Sequence, residues 1–330
     1  MAVLVTGGAG FIGSHMALEL LDAGEDVVVL DNLSTGFRWA VPDGVKFVEG
    51  NVGDQDLVLR LLRDNAIDAI LHFAGSIVVP ESVADPLGYY LNNTCNSRTL
   101  IACAVEAKIP NFIFSSTAAV YGMPEVNPVT EDATLLPISP YGSSKLMTET
   151  MLRDTAKAHP LRFVALRYFN VAGADPKGRS GQSSPSATHL IKVASQAAMG
   201  SRPCLDVYGT DYETPDGTCV RDYIHVSDLV RAHLDALRYL REGGESIVLN
   251  CGYGNGFSVL DVVAAVKRAS HTDFAVRNAE RRAGDPAALV ACADRIHEVL
   301  GWEPRLNDLD TIVEHALAWE KRLKDYRAAS

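Results

Sequence analysis

No apolar run among these 330 residues approaches the ~20 residues that a membrane-spanning helix needs. The chain opens MAVLVTGGAG, without the positively charged stretch that leads a secretion signal, so a cytoplasmic protein is expected. Its six cysteines, Cys95, Cys103, Cys204, Cys219, Cys251 and Cys292, show no CxxC or other ligand spacing. That argues against a zinc site or a disulfide framework, and no metal is expected. Positive charge is scarce as well: 30 Lys and Arg stand against 41 Asp and Glu, for a net charge of −11 and a pI near 5.3. Nucleic acids and anionic membranes need a basic surface, so neither is an expected partner. An anionic ligand would have to be held by a local cluster of cations. No internal repeat is visible.

What is present is an ordinary globular composition, 47% hydrophobic and 22% charged. Single cores stop growing near ~250–300 residues, so one large part and a smaller partner are expected. Apolar runs of strand length alternate with longer helical patterns: AVLVTG, DVVVLDN, VKFVEG, AILHFAG and NFIFSS, with helix-like stretches at 12–23, 54–65 and 86–108 between them. These strands are apolar throughout, which points to a parallel sheet covered by helices on both faces. RFVALRYFN (162–170) and IVLNCG (247–252) read as further strands. A Gly/Ser/Pro-rich loop is expected at 173–186, and turn signals at DGT and GYGNG break up the second half.

VTGGAGFIG places Gly7, Gly10 and Gly13 after the first strand and at the mouth of the first helix. Glycines there permit a tight turn and let backbone N–H groups approach a pyrophosphate at the helix N-terminus. Asp31 ends the next strand, where a carboxylate accepts hydrogen bonds from an adenosine ribose and repels a 2′-phosphate, favouring NAD over NADP. Asp31 could also be a plain turn residue, and Asn32 either joins the site or caps the turn. The expected fold class is α/β: a doubly wound Rossmann-type parallel sheet with a smaller α/β substrate-binding domain. Residues 1–170, rejoined by 224–252, form the first part; 171–223 and 253–330 form the second.

SPYGSSK (139–145) sets Tyr141 and Lys145 four residues apart at the start of a helix, with Ser139 as N-cap and Pro140 in the first turn. A tyrosine acts as a base near neutrality only if its pKa falls from ~10 towards ~7, about 4 kcal/mol. A helix terminus supplies only ~0.3–1 kcal/mol, so Lys145 and a positively charged nicotinamide must supply the rest. Without a nearby cofactor the pair would be an ordinary surface Tyr and Lys. Thr117, just beyond the strand in FIFSSTAAVYG, is placed to share the hydrogen bond of a substrate hydroxyl, or else to cap a turn.

With these motifs the chain resembles the extended short-chain dehydrogenase/reductase family, and within it the branch of nucleotide-sugar 4-epimerases. The resemblance runs through VTGGAGFIGSH, DNLS, HFAG, PLGYYLNN, FSSTAAVYG, SPYGSSKLMTE, LRYFNVAGA, DGTCVRDYIHVSDL and RRAGDP. It implies a cofactor pocket that also contains Phe11, Ile12, Asn51, Val52, Phe73, Ala74, Gly75, Asn92, Tyr168 and Phe169. It implies a UDP-sugar site containing Asn170, His189, Leu190, Asp206, Tyr208, Arg221, Arg282, Asp285 and Leu289. Arg221 and Arg282 would meet phosphate, as arginine forks suit it; Arg221 could instead pair with Asp222, and Tyr208 could be core packing. The family pattern differs at four positions: serine is common at Thr117, aspartate at Asn51, and some relatives carry lysine at Ile77 and tyrosine at Leu289.

The implied reaction is interconversion of UDP-galactose and UDP-glucose through a 4-keto sugar and bound NAD, with Tyr141 as acid and base. Two alternatives share the fold: an epimerase of another UDP-sugar (N-acetylated or pentose), and a non-catalytic NAD sensor. A 4,6-dehydratase needs acidic groups after the active-site threonine, where this chain has Ala118 and Ala119. A homodimer is implied, through helices near 86–108 and 140–158.

Overall fold

A computed structural model describes residues 1–184, 188–282 and 284–329, with side chains of the last helix as far as Leu323. Positions 185 and 186 of the expected 173–186 loop, and 283 of RRAGDP, lie outside the described residues. In chain order the strands are β1 (Ala2–Thr6), β2 (Asp26–Asp31), β3 (Lys46–Glu49), β4 (Ile67–His72), β5 (Asn111–Thr117) and β6 (Arg162–Tyr168). There follow β7 (Asn170–Ala172), β8 (Leu205–Tyr208), β9 (Val220–His225), β10 (Ile247–Cys251), β11 (Gly256–Ser258), β12 (Val276–Ala279) and β13 (Ala288–Leu289).

Seven of them form one parallel sheet in the order β10-β6-β5-β4-β1-β2-β3. The direction of winding reverses between β1 and β4, so the fold is the doubly wound α/β class, with its crevice at the carboxyl ends of those strands. The inner strands are largely apolar because both faces are covered, whereas the edge strand β3 (KFVE) is exposed at Lys46 and Glu49. Val3, Val5, Val29, Leu71, Ile113 and Leu166 meet helices Phe11–Asp22 and Val226–Arg241 on one side. Leu4, Leu30, Ile70, Phe112, Phe114 and Phe163 meet helices Gln55–Asp64, Asn96–Glu106 and Pro140–Ala158 on the other. Each such side chain contributes about 1.5–3 kcal/mol by burial.

A separate apolar group, including Ile191, Leu205, Tyr223, Val262, Val266, Phe274, Ile312 and Val313, joins helices Leu190–Ala198, Val259–Ser270 and Leu309–Ala329. Beside it, β9 pairs with β7, β11 and β13, and β8 pairs with β12. The second helix of this group starts with a reciprocal cap between Ser258 and Asp261.

One element departs from the expected uniform helix over 86–108. Pro86–Tyr89 and Asn96–Glu106 are α-helical, but Tyr90–Cys95 between them is a π-helical turn. The wider turn carries Asn92 and Asn93, and it turns Asn93 inward: this buried amide donates to Ser144 Oγ at 3.0 Å and to the Ser76 carbonyl at 2.9 Å. Such turns recur at functional sites because they re-aim side chains without ending the helix.

Candidate active site

The glycine loop is built by close approach. Gly7 has φ +71°, and a Cβ there would sit 2.6 Å from the Ala74 nitrogen; one on Gly13 would sit 2.1 Å from the Gly7 carbonyl oxygen. Gly10 is the N-cap of helix Phe11–Asp22 and caps it with no side chain, leaving its first amides open. Asp31, expected at a ribose, accepts from Ala9 N at 2.9 Å and from Leu33 N at 2.8 Å, tying the loop to the end of β2. Each carboxylate oxygen keeps a second lone pair for a ligand hydroxyl. Asn32 caps the turn by accepting from Ser34 N at 3.1 Å. Asn51 likewise accepts from Gly53 N at 2.7 Å, and Val52 is buried in the sheet core. Phe11, Ile12 and Phe73 pack at the edge of the opposite core, Phe73 against His233.

Ala74 and Gly75 follow β4, and a Cβ on Gly75 would lie 3.1 Å from Asn93 Oδ1 and 3.6 Å from Lys145 Nζ. The glycine loop thus reaches the tyrosine–lysine helix through one short segment. Ser139 caps that helix, accepting from Gly142 N at 3.2 Å, and Pro140 fills its first turn. Tyr141 and Lys145 are both buried, 8% and 4% exposed. Lys145 passes over the Phe114 ring at 5.0 Å and donates to the Ser115 carbonyl at 2.9 Å. Thr117, which ends β5, accepts from Ala119 N at 3.1 Å and has its hydroxyl beside the Tyr141 phenol. Asn92 donates to Ser76 Oγ at 2.9 Å, Tyr168 hydrogen-bonds to Ser115, and Ile77 stands half exposed.

Burial sets the proton affinities here. It pushes Tyr141 above its ordinary value, opposed by the Thr117 hydroxyl, and pulls Lys145 down to about 8. The direction for Tyr141 is opposite to what a base requires, because desolvation disfavours the phenolate and Lys145 is engaged by a carbonyl. A base role for Tyr141 therefore calls for added positive charge beside the phenol, as an oxidised nicotinamide would supply.

Of the residues expected at the substrate, Arg221 lies on β9, Asn170 and Leu289 on strands that pair with it, and Asp206 and Tyr208 on β8. Arg221 on that strand donates to the Val220 carbonyl at 2.9 Å and stands 3.9 Å from Asp285, so two groups expected at the nucleotide face one another. Its expected alternative partner, Asp222, is buried, pushed up to about 6 by desolvation, and accepts from the amides of Tyr253 and Gly254. That pairing is therefore corrected. Arg282 lies over the Tyr208 ring at 3.7 Å, so Tyr208 is a platform for a cation and stands outside the core clusters. Asp206, two residues before it, is bound by Arg277 at 2.7 Å. His189 caps helix Leu190–Ala198 and lies 2.7 Å from Gln182 Nε2, while Leu190 packs on the second core. Asn170 begins β7 opposite Tyr223. Leu289 is in register with Arg221 and shares an apolar cluster with Ala118, Val120, Tyr121 and Phe169, which joins the β9 side to the turn after Thr117.

Several participants escape a reading by residue type. Ser115 acts through its carbonyl, which carries no sequence signal, and Asn93, Ser76 and Ser144 become visible only through the π turn. Glu149 and Arg167 form a fully buried bidentate pair beneath the site, at 2.7 and 3.0 Å. Their only sequence signal is charge inside otherwise apolar rows.

A glycine loop at the switch point of a doubly wound sheet, with a buried Tyr–Lys pair and a hydroxyl at the carboxyl end of β5, defines a dinucleotide-dependent site for carbon–oxygen redox chemistry. The chain belongs to the NAD dependent epimerase/dehydratase family, whose model matches residues 3–252. It is 59% identical over 322 residues, 98% of this chain and 92% of the relative, to a UDP-glucose 4-epimerase of Azospirillum brasilense. A solved UDP-glucose 4-epimerase from Brucella ovis in complex with NAD is 47% identical, with 96% of this chain and 97% of that one covered and a TM-score of 0.94. The enzyme from Bifidobacterium longum in complex with NAD+ and UDP is 38% identical, covering 98% of both chains, at a TM-score of 0.92. Among the described residues no helix is long and apolar enough to cross a membrane.

Proposed function

We propose that the protein interconverts UDP-galactose and UDP-glucose by inversion at C4. The observation that carries this reading is Tyr141, buried beside Thr117 at the carboxyl edge of a sheet whose glycine loop lies one segment away, in a chain so close to UDP-glucose 4-epimerases. The Gly7–Gly13 loop, Asp31 and the segment Phe73–Gly75 would hold NAD, whose nicotinamide would supply the reversible hydride acceptance that inversion at C4 needs.

The protein's share is binding, orientation and proton transfer. Tyr141 removes the 4-hydroxyl proton and returns it, Thr117 holds that hydroxyl in line, and Lys145 supplies positive charge from beneath. Arg221, Arg282, Asp285, Tyr208 and Asn170 anchor the nucleotide, with His189, Leu190 and Asp206 completing the wall. Strong anchoring of UDP with a loose grip on the sugar lets the keto ring turn over without leaving. Leu289, short and apolar beside Phe169, borders the sugar and is the position at which acceptance of other UDP-sugars would be set.

The functional division places cofactor binding in 1–170 with 224–252, and nucleotide-sugar binding in 171–223 with 253–330. Exposed Val83, Leu87, Leu91 and Met147 on helices 79–106 and 140–158 support a homodimer. Light scattering giving only the mass of one 35.5 kDa chain at micromolar concentration would remove the dimer.

The deciding experiment incubates purified protein with UDP-galactose and no added cofactor, follows UDP-glucose by chromatography, and releases bound dinucleotide by denaturation. Product with co-purified NAD supports the reading. Bound NAD without product overturns the substrate assignment in favour of another UDP-sugar, and neither favours a sensor.

A further inference from the structure

The buried pair of Glu149 and Arg167 sits where packing alone would place apolar residues. On β5 the residues facing helix Pro140–Ala158 are Phe112, Phe114 and then Ser116; on β6 they are Phe163, Ala165 and then Arg167. Each apolar row therefore ends in a polar residue at the carboxyl edge, and Ser116 and Arg167 are directly paired in register. Glu149 meets both from the helix. It lies one turn beyond Lys145 and two beyond Tyr141, accepts from Ser116 Oγ, and takes a two-pronged donation from Arg167 at 3.0 and 2.7 Å. All three side chains are at most 2% exposed.

Arg167 then reaches outward. Its remaining nitrogen donates to Tyr121 Oη at 3.0 Å and to the Glu131 carbonyl at 3.2 Å, and Tyr121 donates to Asn250 on β10 at 2.7 Å. One connected set of bonds thus joins the catalytic helix, the last residues of β5 and β6, and the segment that follows Thr117. A buried ion pair of this kind is often no more stabilising than apolar residues of the same volume. In some proteins such a pair instead holds its elements in a single register.

We propose that Glu149 and Arg167, with Ser116, are positioning residues that fix the Pro140–Ala158 helix against the end of β5. The register matters because the acting groups come from both elements: Thr117 from the strand, Tyr141 and Lys145 from the helix. Ser116, the residue before Thr117, is the strand's point of attachment. The inference rests on the reading of Tyr141, Thr117 and Lys145 as the groups that move the proton.

The test replaces both charges together, Glu149→Leu with Arg167→Leu, so that no orphan charge remains buried, and measures kcat, UDP affinity, retained dinucleotide and thermal unfolding. Expected is a kcat lower by ~100-fold, the scale of a misplacement near 1 Å, with UDP affinity and retained dinucleotide unchanged. Glu149→Gln with Arg167→Gln leaves no buried charge yet keeps an acceptor towards Ser116 and an amide pair, and is expected to restore turnover to within roughly tenfold of the parent. Turnover by the double variant within threefold of the parent (a threshold of about 0.6 kcal/mol in the barrier) overturns the proposal, as does a loss of UDP affinity equal to the loss of kcat. Should the double variant not fold, Ser116→Ala decides: it deletes only the strand's link, and a kcat roughly fivefold lower with unchanged melting supports the role. An unchanged kcat in Ser116→Ala overturns it. Tyr141→Phe is run alongside. If that variant keeps its turnover, the catalytic reading falls and this inference with it; if it is inactive while the double variant is unimpaired, only the positioning role falls.

Discussion

The two ends of the site are built differently. At the Tyr141 end, Tyr141, Lys145 and Thr117 are buried, with Lys145 on a carbonyl and Thr117 against the phenol, and Asn93, which the sequence did not single out, is drawn in by the π turn. At the nucleotide end the expected groups hold one another: Arg221 stands 3.9 Å from Asp285, Arg282 lies on Tyr208, and Asp206 is taken by Arg277. Those contacts are cheap to exchange, since partly exposed pairs contribute ~0–1 kcal/mol and an exposed cation over a ring about 0.5–1 kcal/mol. The tyrosine end is already assembled, and at the nucleotide end we propose that UDP binds by displacing these contacts.

The largest expected effect tests the first half of that contrast. Tyr141→Phe should lower kcat by ~10²–10⁴, the contribution of a positioned acid–base group, and leave UDP affinity by calorimetry unchanged. A parallel loss of affinity would break the division between the two ends. Arg282→Ala should do the reverse. Removing a charged hydrogen-bond donor costs about 1.5–3 kcal/mol, so UDP affinity should fall ~10–100-fold while kcat at saturation stays near the parent's.

A smaller effect concerns the sheet that carries the tyrosine end, through pH. His72, inside the sheet, bridges Thr6 and Ser97 at 2.7 and 2.8 Å, and burial holds its pKa near 3 against the ordinary ~6.5. Below pH ~6.5 the unfolded chain takes up a proton that the native imidazole refuses, so stability is lost as pH falls and is unaffected above that point. His15 and His233, held near 4, act in the same sense. The slope is about 1.4 kcal/mol per pH unit for each such histidine. His72→Gln should lower stability overall yet reduce the acid slope by that one share, read by urea unfolding between pH 6 and 5. An unchanged slope would mean that His72 is charged in the native protein.

Much of this was legible from residue type. The seven strands of the main sheet stood out because covering both faces demands unbroken apolar runs, and Ser139–Pro140 announced the catalytic helix by its cap. The π turn was not legible, since PLGYYLNNTCNS keeps a helical pattern and differs only in one extra residue per turn. Asp31 was read as a ribose acceptor or a turn residue, and its bonds to the Ala9 and Leu33 amides were not legible because a carboxylate beside a glycine loop suits a ribose and a backbone amide equally. The Arg221–Asp222 alternative failed for a similar reason. Neighbours in a strand point to opposite faces, so Arg221 turns to Asp285 and Asp222 turns inward to amides. Glu149 and Arg167, 18 positions apart, look like surface charges until the register of β5 and β6 brings them together.

The smallest expected effect falls on Asp285, where the partner-exchange picture is most exposed to failure. Its carboxylate is 38% exposed and faces Arg221 across 3.9 Å, so it either accepts from the uridine ribose once UDP arrives or merely restrains the arginine. Asp285→Asn keeps the size and one acceptor but removes the charge. If the ribose contact governs, UDP affinity falls by roughly 2–10-fold, the range for one hydrogen bond, and by the same factor at low and high salt because the ribose is neutral. If restraint governs, the freed guanidinium binds diphosphate more tightly, and that gain shrinks as salt screens it. We expect the salt-independent loss. A salt-sensitive gain would move Asp285 from the binding wall to a gate on Arg221, and would extend the exchange of partners to the whole nucleotide end.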